Sequence, residues 1–287
     1  MVSVVIPVFN GASFLTQAVE SVLKSSYKSF EILLIDDGST DRSKKLCHTL
    51  EKKHSQIRFY AFPKNQGLGR VLNFALKIAK GKYICRLNQD DIMLPLRIEK
   101  QVKFLERNKK IVVVGSWIEL FFEDRSTQIL RFPGNDTQIK ALWHIISPFS
   151  DPSVMYRKKD AIIAGGYDQS FWPADDSQLW YKLGSKGKLA NIQEPLVKVR
   201  WHKKAASVRY FRKLALKTYQ MHIFVNDTIE RAPFLYHLYW IGQLIAGLIL
   251  GPEINWMIYR GLKKILFRRV VDRNKKLLLT KFNLLSK

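Results

Sequence analysis

The stretch Tyr83-Ile84-Cys85-Arg86-Leu87-Asn88-Gln89-Asp90-Asp91-Ile92 runs a short apolar segment directly into two adjacent carboxylates. The segment Tyr83–Leu87 reads as a buried strand, and a helical pattern follows over Leu96–Asn108, so the acids stand at a strand's mouth. Like charges gathered in a cleft call for a cation or a proton between them. In a chain whose formal net charge is +24, this acidic spot is the strongest pointer to chemistry. Mg²⁺ and Mn²⁺ favour oxygen ligands and substrate phosphates, so Asp90 and Asp91 read as ligands of a divalent metal that holds a phosphorylated molecule.

Working outward, short apolar runs alternate with helical periodicity. Val2–Val8 reads as a strand. Phe14–Lys24 carries apolar residues at Phe14, Leu15, Ala18, Val19, Val22 and Leu23, a helical stripe with Ser13 as its N-cap. Glu31–Ile35 is a second strand, ended by Asp36-Asp37-Gly38-Ser39 and followed by a helix to about Lys53. Ile57–Ala61 is a third strand and Leu68–Ala79 a helix closed by Gly81. Ile111–Gly115 and Ile118–Phe122 read as two further strands. Asp151–Tyr156 reads as a turn entering a strand, and Asp175-Asp176 opens a helix, where its dipole favours acids. The alternation implies an α/β fold with a parallel, doubly wound sheet. Such sheets bind ligands at the carboxyl ends of their strands. Pro7-Val8-Phe9-Asn10, Asp36-Asp37 and Asn88-Gln89-Asp90-Asp91 all fall on that edge.

Size and composition narrow the class. With 287 residues, 47% hydrophobic and 12% aromatic, the chain has ample material for a core, which excludes wholesale disorder. Cys47 and Cys85 lack metal-ligand spacing and read as small buried hydrophobes of a protein in a reducing compartment. The opening Met1–Pro7 reads as a strand rather than a signal peptide. From Lys198 to Lys287 nineteen Lys and Arg face four acids, which implies an anionic partner. Phe234–Leu250 is apolar apart from His237 and Gln243, with Tyr236, Tyr239, Trp240, Trp256 and Tyr259 in and around it. Arg260, Lys263, Lys264, Arg268 and Arg269 follow, interleaved with apolar residues. This mixture reads as interfacial helices on an anionic membrane. A helical bundle that closes the domain and a membrane-spanning hairpin stay open beside it.

In order along the chain, the motifs resemble those of the inverting family-2 glycosyltransferases, which have the GT-A fold. The resemblance covers about residues 2–205. It rests on Val4–Asn10, on Glu31–Asp41, on Asn65-Gln66-Gly67 with Asn73, on Arg86–Ile92 in the place of an Asp-x-Asp motif, and on Ala174–Trp180. It implies a domain at 1–205, with a nucleotide-binding half at 1–115 and an acceptor half at 116–205, and a basic, amphipathic helical extension at 206–287. Nucleotide contacts are then expected from Pro7, Val8, Phe9, Asn10, Asp36, Asp37, Asn65, Asn88, Arg200 and His202. The metal would be Mn²⁺ or Mg²⁺ on Asp90 and Asp91. Asp176, with Asp175 beside it, would supply the catalytic base. Two positions depart from the pattern: Asn88 stands where the first Asp is usual, and Asp175 where Glu is usual.

The implied activity moves a sugar from a nucleoside diphosphate sugar, a UDP-sugar favoured, to a glycan or lipid-linked acceptor in surface-glycan synthesis. Its place would be the cytoplasmic face of the membrane, held peripherally. Two other readings compete with it. A nucleotidyltransferase that makes nucleotide sugars would carry a Gly-rich, basic loop after the first strand, whereas Phe9-Asn10-Gly11-Ala12-Ser13 has a single Gly and no cation. A non-enzymatic binder of anionic polymers is suggested by charge alone. No nucleic-acid partner is expected, because no zinc-finger, RNA-recognition or helix-turn-helix pattern accompanies the charge.

Overall fold

The computed structural model describes residues 1–145, 147–202, 205–255, 257–258, 261–262 and 265. Strands β1 (Val2–Val8), β2 (Phe30–Asp36), β3 (Ile57–Ala61) and β4 (Tyr83–Arg86) alternate with helices α1 (Leu15–Leu23), α2 (Ser43–Lys53) and α3 (Leu68–Ile78). Then come β5 (Ile92–Met93), α4 (Arg97–Arg107), β6 (Ile111–Phe121), β7 (Thr127–Leu130) and α5 (Asp136–Lys140). The chain continues through β8 (Met155–Arg157), α6 (Lys158–Ile163), α7 (Asp175–Lys186) and β9 (Lys188–Arg200). Three helices follow: α8 (Ala206–Arg209), α9 (Phe211–Thr228) and α10 (Phe234–Ile249).

The described strands form one sheet in the order β3-β2-β1-β4-β8-β6-β9-β5, with β7 on β6. The first four are mutually parallel, and β1, β2 and β4 among them are buried on both faces, as is usual for a parallel sheet. All seven residues of Phe30–Asp36 are buried, and alternate side chains enter opposite cores. Ile32 and Leu34 join Leu15, Val19 and Val22 of α1, while Leu33 and Ile35 join Val71, Leu72, Ala75 and Leu76 of α3. The sheet then turns: β8 is antiparallel to β4 and β6, and β5 is antiparallel to β9. At this junction α4 supplies the missing donors. Arg97 Nη2 donates to the carbonyls of Arg86 and Val154 at 2.9 and 3.1 Å, and Gln101 Nε2 to those of Ser153 and Val114 at 2.8 and 3.2 Å. Both side chains are fully buried.

One expectation is corrected here. The two strands read at Ile111–Gly115 and Ile118–Phe122 are a single strand, β6, because the partner absorbs the irregularity. Ser116 pairs with Ile192 and Trp117 with Pro195, so β9 bulges around Gln193-Glu194 while β6 runs straight through. The long β9 carries Arg200 and His202 to the carboxyl ends of the parallel strands.

Helices α9 and α10 form a hairpin against the end of α7. Met221 and Val225 pack on Trp143 and Tyr181, and Trp240 donates its indole N–H to the His144 carbonyl at 2.7 Å. His222 stacks flat on Trp240, their ring centroids 5.0 Å apart. Burial, then His144, pushes the His222 imidazole down to about 3, so the stack is neutral. Among the described residues no helix is long and apolar enough to cross a membrane. The cations from Arg260 onward and the aromatics Trp256 and Tyr259 lie outside the described residues. The two helices cross closely, because a Cβ at Gly247 would stand 2.4 Å from the Ala215 Cβ. Gly247→Leu is therefore expected to cost about 1–3 kcal/mol by overpacking. Thermal unfolding should show it as a drop of several degrees.

Candidate active site

Three clusters of side chains meet at the carboxyl ends of β1, β2 and β4. The first is built on the turns after β1 and β2. The Asp37 N–H donates to the Val8 carbonyl at 2.8 Å, so the second strand's turn hangs from the first. Val8, expected among the nucleotide contacts, has its side chain fully buried and anchors the turn through its carbonyl. Pro7 remains in register with Ile35 on β2. Asn10 takes a left-handed conformation with φ of 49°, a geometry Asn tolerates. From there its N–H donates to Ser39 Oγ and its Oδ1 accepts from the Thr40 N–H, both at 2.9 Å. Asp36 accepts from the Ser39 N–H at 3.1 Å through Oδ2. Its buried Oδ1 has no hydrogen-bond partner among the described residues. Asp37 accepts from the N–H groups of Gln66 and Gly67 at 2.6 and 2.9 Å. This draws the loop after β3 over the site and leaves Asn65 exposed on it. Gly38 makes that approach feasible: its φ is +72°, and a Cβ there would lie 2.5 Å from the Lys64 carbonyl carbon.

The second cluster follows β4. Gln89 clasps the first turn, accepting from the Phe9 N–H at 2.9 Å and donating to the Phe9 carbonyl at 3.0 Å. Asp90 and Asp91 then diverge. Asp91 is buried and turned inward, with Oδ1 accepting from the Arg200 N–H at 2.9 Å and Oδ2 from Asn88 Nδ2 at 3.0 Å. Burial, then the charge of Asp90, pushes its carboxyl above the usual range. Asp91, expected as a metal ligand, holds β9 and Asn88 through one hydrogen bond on each of its oxygens. Asn88 explains its own departure from the acidic pattern. Its amide donates to Asp91 while its Oδ1 accepts from Arg86 Nη2 at 3.2 Å, a bridge that a second carboxylate could not make. Asp90 keeps its carboxylate at the open edge, with Oδ2 2.9 Å from His202 Nε2. His202 is buried beside Phe14 and not out on a basic surface. Arg200 is clamped between the rings of Phe14 and Phe121, 4.6 and 4.4 Å from their centroids, and donates to the Asp90 carbonyl at 3.1 Å and to Gln17 Oε1 at 2.6 Å.

Asp90 and His202 form an oxygen and nitrogen donor pair that suits Mn²⁺ or Mg²⁺ held partly by substrate phosphates. Among the described residues no three His, Cys, Asp or Glu side chains converge into a closed cage.

The third cluster surrounds the N-terminus of α7. Asp175 and Asp176 are its first two residues. Burial raises the Asp175 carboxyl to about 7, and Oδ2 is buried with no hydrogen-bond partner among the described residues. A Cβ at Gly69 would stand 3.3 Å from that oxygen, so α3 gives Asp175 its room. Burial, then the negative charges of Asp151 and Asp175, pushes the half-buried Asp176 well above the usual range. Asp176 Oδ1 accepts from the Ser177 N–H at 2.6 Å. The balancing cation is Arg86, fully buried, whose Nη2 donates to Asp151 Oδ2 at 2.7 Å. Arg86 touches the second cluster through Asn88 and the third through Asp151. Sequence reading missed this role, as it missed Gln89 and Asp151. Asp151-Pro152 carries only a turn signal, and the pairing of β8 with β4 is what brings it to Arg86.

A family model described as glycosyl transferase family 2 matches residues 3–164. The chain belongs to glycosyl transferase family 2. Among similar family members is the amylovoran biosynthesis glycosyltransferase AmsE of Erwinia amylovora, 31% identical over 232 residues that span 76% of this chain and 87% of the relative. The putative glycosyltransferase EpsE of Bacillus subtilis is 33% identical over 217 residues, 73% of this chain and 76% of that one. The fold is GT-A. TarS 1-349 of S. aureus in complex with UDP superposes with a TM-score of 0.61 at 15% identity, over 96% of this chain and 91% of that one. The mannosyltransferase PcManGT of Pyrobaculum calidifontis in complex with GDP-Man and Mn²⁺ superposes with a TM-score of 0.62 at 16% identity, over 100% and 80%.

Proposed function

We propose that this family-2 glycosyltransferase moves a sugar from a nucleoside diphosphate sugar to an acceptor hydroxyl with inversion, in the synthesis of a surface polysaccharide or lipid-linked glycan. The observation that carries the reading is the convergence of the Asp36-Asp37 turn, the Asp90–His202 pair and the α7 acids on one sheet edge. Asp36 and Asp37, with the Pro7–Asn10 turn and Asn65, shape the pocket for base and ribose. Asp90 and His202 hold the divalent cation, and Asp91, Asn88 and Arg200 fix them in place. When bound, such a cation supplies positive charge against the departing diphosphate. Asp176 takes the proton of the acceptor hydroxyl as that oxygen attacks the anomeric carbon, and the bond to the nucleoside diphosphate breaks on the opposite face. AmsE is named for amylovoran biosynthesis, and the structural neighbours were solved with UDP and with GDP-Man, which supports a biosynthetic transferase with a nucleoside diphosphate sugar donor.

The exposed face of α10 supports a place of action at a membrane. Phe234, Leu238, Ile241, Ile245 and Ile249 are exposed along one helical stripe, with Phe234 at 74% and Ile249 at 73%. A stripe of that kind in a chain of this charge lies on an anionic membrane surface, and the protein acts there from the cytoplasmic side.

Calorimetric titration with UDP-sugars and GDP-sugars, each with and without Mn²⁺, tests the reading. One donor class, a UDP-sugar by preference, should bind with metal and bind weakly without it. Asp90→Ala should abolish the metal-dependent part, since a hydrogen bond to a charged group and a metal ligand are lost together. Release of pyrophosphate from a nucleoside triphosphate and sugar phosphate would instead establish a nucleotidyltransferase.

A further inference from the structure

The C-terminal helices shape a groove that the reaction above leaves unused. It is a shallow, open groove of about 410 Å³ where the bend between α8 and α9 faces the end of α10 and its exit turn. Its walls are of two kinds. Arg209, Arg212 and Lys213 bring three cations, and Phe211, Ile249 and Leu250 bring apolar surface. Among the described residues none of the three cations reaches a carboxylate within ion-pair distance. Two of them rest on aromatic faces instead: Arg209 lies 5.5 Å from the Tyr210 centroid, and Lys213 lies 4.3 Å from that of Trp172. Trp172 meets Tyr210 edge-on at 4.8 Å. Pro173 and Ala174 then lead straight from Trp172 to Asp175 at the head of α7.

Three cations without an ion-pair partner among the described residues, set beside hydrocarbon, suit a ligand that is a dense anion at one end and a chain at the other. A free nucleotide or a polysaccharide lacks the chain, and a neutral lipid lacks the charge. The apolar wall also continues beyond the groove, since Ile249 ends the exposed stripe of α10. We propose that the groove seats the phosphate of a lipid-linked acceptor, with its phosphates on Arg209, Arg212 and Lys213 and the first carbons of its lipid on Ile249 and Leu250. The Trp172–Ala174 segment then sets the sugar carried by that phosphate beside the α7 acids. This rests on the glycosyltransferase reading and narrows the acceptor to a lipid phosphate.

The test uses the full chain in detergent micelles and a benzophenone-bearing analogue of farnesyl diphosphate as photoprobe. Adducts should map to Val208–Lys213 and Ile249–Pro252. Farnesyl diphosphate should displace the probe, while farnesol, inorganic diphosphate and phosphatidylglycerol should each do so at least about tenfold more weakly. The triple variant R209A/R212A/K213A should bind the probe about tenfold or more weakly, having lost its charge-assisted hydrogen bonds. Its circular dichroism and UDP binding should match the parent, and R212A alone serves if the triple variant does not fold. Equal displacement by farnesol, by inorganic diphosphate or by phosphatidylglycerol overturns the proposal, reducing the groove to a greasy, an anion or a bulk-lipid surface respectively. Undiminished labelling of a folded variant also overturns it. Failure of the parent protein to bind any nucleotide sugar is a different result and removes the transferase reading instead.

Discussion

Asp176→Asn is expected to lower the rate of sugar transfer about 10²–10⁴-fold, the usual contribution of a positioned base, while leaving donor binding and thermal stability near those of the parent. The amide keeps the side-chain volume and its Oδ1 can still accept from the Ser177 N–H, so the start of α7 survives. The amide cannot take a proton from the acceptor. Asp175 does not replace it, because its carboxyl is buried with α3 packed against one oxygen. The pH profile gives a second check on the same group. Both acids are pushed up, Asp175 to about 7 and Asp176 in the same direction, and a base works only when deprotonated. Transfer in the parent should therefore begin to fall on the acid side at a pH above the usual carboxylate range, and level off once Asp176 is deprotonated. Donor binding should change far less over that range. A variant that transfers sugar at the parental rate would remove Asp176 from the base role.

The parallel half of the sheet was legible in the sequence because its central strands are buried on both faces. Val2–Val8 and Phe30–Asp36 therefore appear as continuous apolar runs. The acids at their ends were legible for the same reason, as polar residues where an apolar run stops. Strand β9 was not. Lys188–Arg200 is broken by Gln193-Glu194-Pro195, which reads as a loop, yet this is the bulge that lets one strand follow β6 along its whole length. The contacts that divide the labour of Asp90 and Asp91 were also out of reach. His202 meets Asp90 across 112 residues and Arg200 meets Asp91 across 109, and only the pairing of β9 with β5 brings them together. Adjacent acids in a sequence look equivalent. Full burial of Asp91 makes it a brace for β9, while the partly exposed Asp90 faces His202 at the open edge.

Arg86→Met is expected to be the most destabilising single change in the site, by about 3–5 kcal/mol at neutral pH, measurable by urea unfolding. Arg86 is fully buried at the end of β4, where its guanidinium ties Asp151 Oδ2 to Asn88 Oδ1 and to the carbonyls of Val5 and Leu87. Methionine fills much of the volume but leaves the largely covered Asp151 carboxylate without its cation, and an uncompensated charge with little water around it costs far more than a lost contact. The effect has a definite sign in pH. Asp175 has a folded value near 7, above its unfolded value, so the fold favours its protonated form and loses stability as pH rises between the two. Arg86 holds both Asp175 and Asp176 down against burial. Its removal raises them further. The destabilisation should then be largest above about pH 7 and shrink as acid protonates the carboxyls, and the rising limb of the activity profile should move to higher pH. Arg86→Lys separates charge from geometry. An ammonium restores the positive charge but cannot reach Asp151, Asn88 and two carbonyls at once, so it should recover part of the stability and most of the pH profile. If the lysine variant behaved as the methionine one, the fork of hydrogen bonds rather than the charge would be what keeps the α7 acids ready to accept a proton.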